Sequence, residues 1–163
     1  MKIWSRIAKM SIRQLILLSS AVIQRPKLIF PLLRATQRTL EICNVHYGRD
    51  HFANNKTNAF RHALWNILIC RKTNKKLKND QKSVIWTQKI TNLYEKVTKN
   101  DILDELMDLH NNQIGRKLFL DKKGLNELEI VHLLQKMLHF ALKVEQKEDF
   151  DQRIDELVYI SEL

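Results

Sequence analysis

Apolar side chains recur at intervals of three and four residues along most of this chain, which is the spacing that places them on one face of an α-helix. Only three glycines and two prolines occur among the 163 residues, and the alternating runs typical of strands are few. We therefore predict an all-α fold, built as a single-domain bundle of about six helices over residues 1–163 and long enough to bury one core. The predicted helices cover residues 2–23, 32–45, 58–71, 84–97, 102–118 and 127–142.

The ends of these helices are predicted from capping and turn residues. Thr57 is the expected N-cap of the third helix, and Asn126 with Glu129 forms a capping pattern before the last long helix. The lysine-rich run at residues 72–80 is expected to be a solvated connector. The acidic segment at residues 145–162 is expected to form a short final helix or a packed tail.

Two of the predicted helices carry a polar stripe on one face. The first stripe lies in the string NAFRHALWN at residues 58–66, and the second lies in DLHNNQIGR at residues 108–116. Because the opposite face of each helix is apolar, the two stripes are expected to form one shared site. Gly115 either allows a close backbone approach there or marks a local helix end. The stripes consist of Asn58, Arg61, His62 and Trp65 in the first helix and of Asp108, Asn111, Asn112 and Gly115, with Arg116 at the margin, in the second.

The residue types in this shared site suit acid–base chemistry on an anionic substrate. His62 would act as the general acid or base, because an imidazole titrates near neutral pH, and Asp108 would orient it. Arg61 and Arg116 would hold a phosphate or a developing oxyanion with their forked donors. The amides that would fix the substrate or an attacking water are those of Asn58, Asn111 and Asn112.

Water is the expected nucleophile, because the sequence contains no Gly-x-Ser-x-Gly motif and no P-loop. The expected activity is that of a hydrolase acting on a phosphodiester or a phospholipid. Two alternatives stay open. The same side chains could form a buried network that only specifies helix packing, since an unpaired buried polar group costs roughly 1–3 kcal/mol. The chain could also be a noncatalytic module that binds a membrane surface or another protein.

Positive charge is concentrated at the start of the chain. The net charge is +10, and residues 1–40 contain eight Lys or Arg and no acid, whereas residues 121–163 contain six basic and ten acidic residues. Residues 2–23 are too short and too charged to span a membrane. A basic amphipathic helix within residues 1–25 could instead lie on an anionic phospholipid surface or pack on the core. Nucleic acid is not the expected partner, because aromatic residues are not interleaved with the basic ones.

The cysteines and two further histidines lie outside the polar stripes. Cys43 and Cys70 occur in apolar helical contexts, so buried free thiols and a reducing compartment are expected. The polar loop at residues 46–55 could lie over the shared site. His46 and His51 within it are expected at the surface rather than as metal ligands.

The strings NAFRHALWN and MDLHNNQIGR resemble the motifs of an uncharacterised bacterial domain family, whose pattern is NAxRHAxW, a His-Glu pair and MDLxNNxxGR. The resemblance covers residues 35–120, the motif-bearing core. Members of that family occur as small free-standing proteins and as C-terminal modules of polymorphic-toxin-like proteins. The resemblance implies a bacterial origin, a toxin-like effector role and a cognate protein partner. The expected location is the cytoplasm or the periphery of the inner membrane, and secretion by a route without a signal peptide stays open.

The resemblance also adds Glu95 to the candidate site. The family's His-Glu pair falls on Tyr94 and Glu95, so this chain keeps the carboxylate but not the imidazole. Glu95 therefore joins His62 and Asp108 as a catalytic candidate. No cofactor is expected, since a divalent metal held by these three residues and His110 would need a distorted helix. At ~100° per residue, His110 projects about 160° away from Asp108.

Overall fold

The computed structural model describes residues 24–98, 101–153 and 155–161. The amphipathic helix expected within residues 1–25 lies outside this part of the chain, apart from Gln24 and Arg25. Five α-helices and two short strands are described, which confirms the all-α bundle with a helix count close to six. No described helix combines the length and the apolar character needed to cross a bilayer. The elements are α1 (Ile29–Tyr47), α2 (Lys56–Leu77), α3 (Asp80–Thr98), α4 (Ile102–Asp121), α5 (Glu127–His139), β1 (Leu142–Lys143) and β2 (Val158–Tyr159).

Helix α2 is the centre of the bundle and contacts each of the other four described helices. Its side chains Phe60, Leu64 and Ile67 are fully buried in one apolar cluster, together with Ala35 of α1 and Leu134 of α5. Burial of apolar surface contributes about 25 cal/mol per Å². The packing of α1 and α5 against α2 therefore supplies the main apolar core.

Helix α2 is longer than the sequence predicts, because it continues to Leu77 instead of ending near Arg71. The expected solvated connector at residues 72–80 is thus mostly helical. Its lysines are largely exposed, and Thr73 is the one fully buried residue in the run. One buried position is too weak a periodic signal to be recognised in a lysine-rich string. Lys78 ends the helix in the left-handed conformation, with φ of 48°.

The N-cap of α2 also differs from the prediction, since Asn55 caps the helix and Thr57 does not. Asn55 Oδ1 accepts hydrogen bonds from the backbone N–H groups of Thr57 at 3.0 Å and Asn58 at 3.3 Å, and the Thr57 hydroxyl donates to the same oxygen. The predicted capping pattern of α5 is confirmed. Asn126 Oδ1 accepts from the Glu129 N–H at 3.0 Å, and Glu129 Oε2 accepts from the Asn126 N–H at 2.6 Å.

Gly115 allows α2 and α4 to approach closely. Helix α4 continues through Gly115 to Asp121, so of the two predicted alternatives the close approach is confirmed and the local helix end is wrong. A Cβ atom at position 115 would lie 2.9 Å from Ala63 Cα and 3.0 Å from Ala63 C, closer than side chains normally come to backbone. This contact brings the polar stripes of the two helices together.

The C-terminal tail, residues 142–153 and 155–161, combines both predicted alternatives, since it packs on the bundle and contains a short helix. Strands β1 and β2 pair in parallel, and the 3-10 helix Lys147–Gln152 lies between them. After β2, the backbone N–H groups of Ile160 and Ser161 donate to the carbonyl oxygen of Asn54 at 3.1 and 3.0 Å. The tail therefore reaches the segment that leads into α2.

Candidate active site

Three helices bring the predicted catalytic side chains together inside the bundle. His62 comes from α2, Glu95 from α3, and Asp108 from α4. His62 Nε2 lies 3.3 Å from Asp108 Oδ1, and His62 Nδ1 lies 3.4 Å from Glu95 Oε1. The imidazole is only 3% exposed, and both carboxylates are fully buried. The two polar stripes thus form one shared cluster, and the residue implied only by the family resemblance completes it.

The hydrogen bonds around His62 assign its tautomer. The Arg61 guanidinium, which can only donate, places one nitrogen 2.7 Å from Nε2, so Nε2 carries the lone pair. The proton then sits on Nδ1 and is donated to Asn112 Oδ1 at 3.2 Å. Asn112 in turn donates to Glu95 Oε1 at 3.1 Å. The Asn112 amide therefore holds both the ring and the neighbouring carboxylate in position.

The Glu95 carboxylate uses only one of its two oxygens for hydrogen bonds within the described part of the chain. Oε2 is buried and accepts no hydrogen bond from the described residues. A buried carboxylate oxygen without a donor is costly, because the group has lost water and gained nothing in exchange. The cluster is therefore buried, yet its hydrogen-bonding groups are not all satisfied. A polar network that serves packing alone is expected to satisfy all of them.

A second set of side chains lies behind the imidazole and supports Asn112. Asn66 donates to Asn112 Oδ1 at 2.5 Å, and Asn66 Oδ1 accepts from Arg116 at 2.9 Å and from Thr91 at 3.3 Å. Burial lowers the pKa of Arg116 to about 10. The structure thus places Arg116 behind the amides and away from the imidazole. Asn66 and Thr91 are missing from the predicted site, although Asn66 stands one helical turn after His62 in the same string.

Arg61 forms the edge of the cluster that lies nearest to solvent. Its guanidinium is 9% exposed, donates to Asn58 Oδ1 at 2.6 Å and lies 5.6 Å from the centre of the Phe52 ring. Asn58 contacts Asn54 Oδ1 at 3.4 Å. The loop before α2 therefore covers the edge of the site at Arg61, as the sequence suggests.

His51 in that loop corrects one expectation. It is fully buried instead of lying at the surface, and its ring bonds to Asn44 Oδ1 at 3.0 Å through Nε2. Burial, with the nearby positive charge of Arg61, lowers the pKa of His51 to about 4. His51 is accordingly a neutral packing residue beside the site, while His46 is exposed as expected.

Asn111, like Arg116, is a predicted substrate-binding residue that the structure does not bring to the imidazole. Its side chain donates to the Val158 carbonyl at 2.9 Å and accepts from the Val158 N–H at 3.0 Å. His110 likewise faces the tail, with Nε2 2.9 Å from the Glu156 carbonyl oxygen. Adjacent residues of one motif thus have separate tasks, since Asn112 holds the imidazole and Asn111 holds β2.

The two cysteines are buried free thiols, as predicted. Burial raises the pKa of Cys43 to about 12 and that of Cys70 to about 11. A thiol that stays protonated at neutral pH is a poor nucleophile. Neither cysteine is therefore suited to act as a nucleophile.

A divalent cation would find three donors in this cluster. One donor atom each of His62, Glu95 and Asp108 lies within 4.8 Å of the other two, and imidazole with carboxylate ligands suits several transition metals. In the observed arrangement, however, the Nε2 lone pair already accepts from Arg61 at 2.7 Å. The donor set therefore fits a cation only after Arg61 has moved away from Nε2.

Fold and site together define a helical domain with a buried cluster of ionisable groups at the junction of three helices. A family model matches residues 19–141, and the chain belongs to that family, DUF6973, a domain of unknown function. The predicted membership of an uncharacterised domain family is therefore confirmed. The matched span contains every residue of the cluster and ends before the C-terminal tail. No curated protein and no solved structure matches the chain.

Proposed function

We propose that this chain is a hydrolase in which His62 acts as general acid and base on a phosphodiester or a phospholipid. The observation that carries the proposal is a single imidazole held between two carboxylates and a guanidinium that come from three different helices. No such constellation is needed to close a helical bundle.

The cost of burial supports a functional role for these groups. Removing charged groups from water costs several kcal/mol for each ion, and well-packed apolar residues in their place are often neutral or stabilising. Ionisable groups gathered in this way are typical of functional sites. The cluster is thus better explained by chemistry than by stability.

The roles of the side chains follow from the hydrogen bonds around the ring. Arg61 at the solvent edge would turn from His62 to the entering phosphate oxygens, which releases the Nε2 lone pair. Nε2 would then take a proton from water as the water oxygen attacks, and Asp108 Oδ1, 3.3 Å away, would stabilise the resulting imidazolium. The imidazolium would return the proton to the leaving oxygen when its bond breaks. Asn112 would hold the ring throughout through Nδ1.

Access to the site would require movement of the groups that cover it. Phe52 lies against the Arg61 guanidinium. The half-buried rings of Trp65 and Tyr94 pack edge to face, with their centres 5.4 Å apart, and the centre of the Trp65 ring lies 6.3 Å from that of the His62 ring. Closed sites that open for substrate exclude bulk solvent while they can retain a single attacking water, and loops are the segments that usually move. We assign this movement to the loop before α2.

The biological setting proposed here rests on the motif resemblance. The motifs NAFRHALWN and MDLHNNQIGR support a bacterial origin and a toxin-like effector role, and a cognate protein partner would then control the activity. A location in the cytoplasm or at the periphery of the inner membrane belongs to the same proposal, with export by a route without a signal peptide.

The test compares His62→Gln and Glu95→Gln with the wild type on a fluorogenic phospholipid and on a bis-aryl phosphodiester. Loss of the general acid–base residue in His62→Gln is expected to lower the hydrolysis rate at least about 100-fold. Glu95→Gln, which removes only the negative charge beside His62 Nδ1, should lower the rate less, and helical circular dichroism should stay unchanged in both variants. His132→Gln, at an exposed histidine outside the cluster, is the matched control and should retain the wild-type rate.

The burial of His62 favours one competing function, a noncatalytic module whose polar cluster only fixes helix packing. That function predicts no hydrolysis by the wild type on either substrate, and a lower melting temperature for both cluster variants. A folded His62→Gln variant that hydrolyses at the wild-type rate would contradict the catalytic proposal directly.

A further inference from the structure

A second surface, far along α2 from the imidazole, carries positive charge that the acid–base site does not use. The start of α1 and the end of α2 form a groove of about 470 Å³. Four cations contribute to its lining and no carboxylate does. The groove is lined by Phe30, Pro31, Arg34, Lys72, Lys75 and Lys76, and we call it the basic groove.

The cations of the basic groove have no acidic partners among the described residues. Some exposed lysines elsewhere on the described surface do have acidic partners, since Lys117 contacts Asp155 and Lys123 contacts Asp80. Unpaired cations gathered in one place produce a positive potential that attracts an anionic surface. The basic groove is therefore suited to an anionic partner.

Exposed apolar side chains stand beside these cations. Phe30 is 68% exposed and Leu33 is 53% exposed, one helical turn apart on α1. The Arg34 guanidinium lies 5.5 Å from the centre of the Phe30 ring. Apolar and aromatic tips surrounded by Lys and Arg are the composition of a surface that enters the headgroup region of a bilayer.

The position of the groove along the chain points to the same partner. Helix α1 follows directly on the N-terminal segment, whose residues 1–23 contain Lys2, Arg6, Lys9 and Arg13 and no acid. The described chain begins at Gln24, five residues before α1. A membrane-bound N-terminal segment would hold this end of the bundle against the same membrane.

The geometry points to the basic groove as a docking surface for an anionic phospholipid bilayer, with Phe30 and Leu33 at the interface and Arg34, Lys72, Lys75 and Lys76 against the headgroups. The surface lies within the folded bundle, so it acts in addition to any contact made by residues 2–23. A bilayer fits this surface better than a nucleic acid does, because a nucleic-acid backbone has no apolar region in which the exposed Leu33 side chain could be buried.

The experiment is co-sedimentation of the full chain with vesicles of phosphatidylcholine, with or without phosphatidylglycerol. The test variant is Lys72→Gln/Lys75→Gln/Lys76→Gln, and the control is Lys82→Gln/Lys96→Gln/Lys122→Gln, which removes the same charge from exposed positions outside the groove. Each cation near an anionic membrane contributes about fivefold in affinity, so the test variant should bind anionic vesicles about 100-fold more weakly than the control. Phe30→Ser, which keeps the charge, should also weaken binding.

Three outcomes would overturn the inference. They are absence of wild-type binding to anionic vesicles, equal binding by the two triple variants, and equal binding to vesicles with and without phosphatidylglycerol. If duplex nucleic acid binds the wild type and the groove variant loses that binding while vesicle binding is unchanged, the partner class is wrong. Vesicle binding is measured without hydrolysis, so its failure leaves the acid–base proposal intact, and inactive His62 variants leave the docking surface intact.

Discussion

The two buried faces of α2 are both shielded from water, but one is apolar and the other is polar. Phe60, Leu64 and Ile67 pack into the apolar cluster, whereas His62 and Asn66 meet the amides and carboxylates of α3 and α4. Burial of the first face stabilises the fold by removing apolar surface from water. Burial of the second face gains little net free energy, because its hydrogen bonds replace those made to water. The comparison teaches that one helix can bury an apolar face that stabilises the fold and a polar face that stabilises it little, and that the extent of burial alone does not distinguish the two.

The largest expected effect is on the apolar face. Leu64→Ala removes a fully buried side chain from the main core, and we expect the free energy of unfolding to fall by about 2–5 kcal/mol. Urea denaturation, monitored by circular dichroism, measures this change in the free energy of unfolding. Leu128→Ala, at a 61% exposed leucine, is the control and should change stability by less than about 0.5 kcal/mol. Equal losses in the two variants would mean that the apolar face of α2 is not the main source of stability.

A smaller effect is expected where the polar faces of α2 and α4 meet. Gly115→Ala would place a Cβ atom 2.9 Å from Ala63 Cα, so the helices must separate, at a cost of about 1–3 kcal/mol. Alanine has a higher helix propensity than glycine, so the substitution by itself should stabilise α4. A loss of stability in Gly115→Ala must therefore come from the steric clash with Ala63. Gly124→Ala, where nothing lies within 4 Å of the new Cβ, is the matched control. If Gly115→Ala were stabilising in thermal unfolding, the described contact between α2 and α4 would be incorrect.

The third expected effect is a pH dependence at the edge of the polar face, and it is confined to acidic pH. Burial holds the pKa of His51 at about 4, below the value of ~6.5 typical of an unfolded chain. Between these values the unfolded state binds the extra proton, so His51 contributes stability above about pH 6.5 that is lost as the pH falls through about 4. Urea denaturation at a series of pH values measures this loss. The free energy of unfolding should fall less steeply in His51→Gln than in the wild type as the pH is lowered from about 6.5 to about 4. An identical slope in wild type and variant would show that His51 does not titrate in this way.

The helical faces could be predicted from the sequence because they depend on spacing alone. Helical spacing predicts that His62 and Asp108 lie in one site, and the two side chains do meet. The capping box at Asn126 could also be predicted, because it involves only residues that are close in sequence. Glu95 is predicted only from the family resemblance, although its helix does carry a polar stripe. The stripe consists of four fully buried residues at intervals of four, Ser83, Thr87, Thr91 and Glu95. Asn111 could not be assigned correctly from sequence. Its partner is the backbone of Val158, and a backbone group has no sequence signature.

The C-terminal tail has a consequence for the rates of folding and unfolding. The contact between Asn54 and Ile160 closes a loop that contains four of the five described helices. Contacts so distant in sequence are slow to form, because the entropy of the whole loop must be lost first. We expect the tail to dock after the folding transition state, so that its contacts slow unfolding and leave the refolding rate nearly unchanged. Stopped-flow kinetics would measure both rates, and the tail would then determine how long each molecule stays native once it has folded.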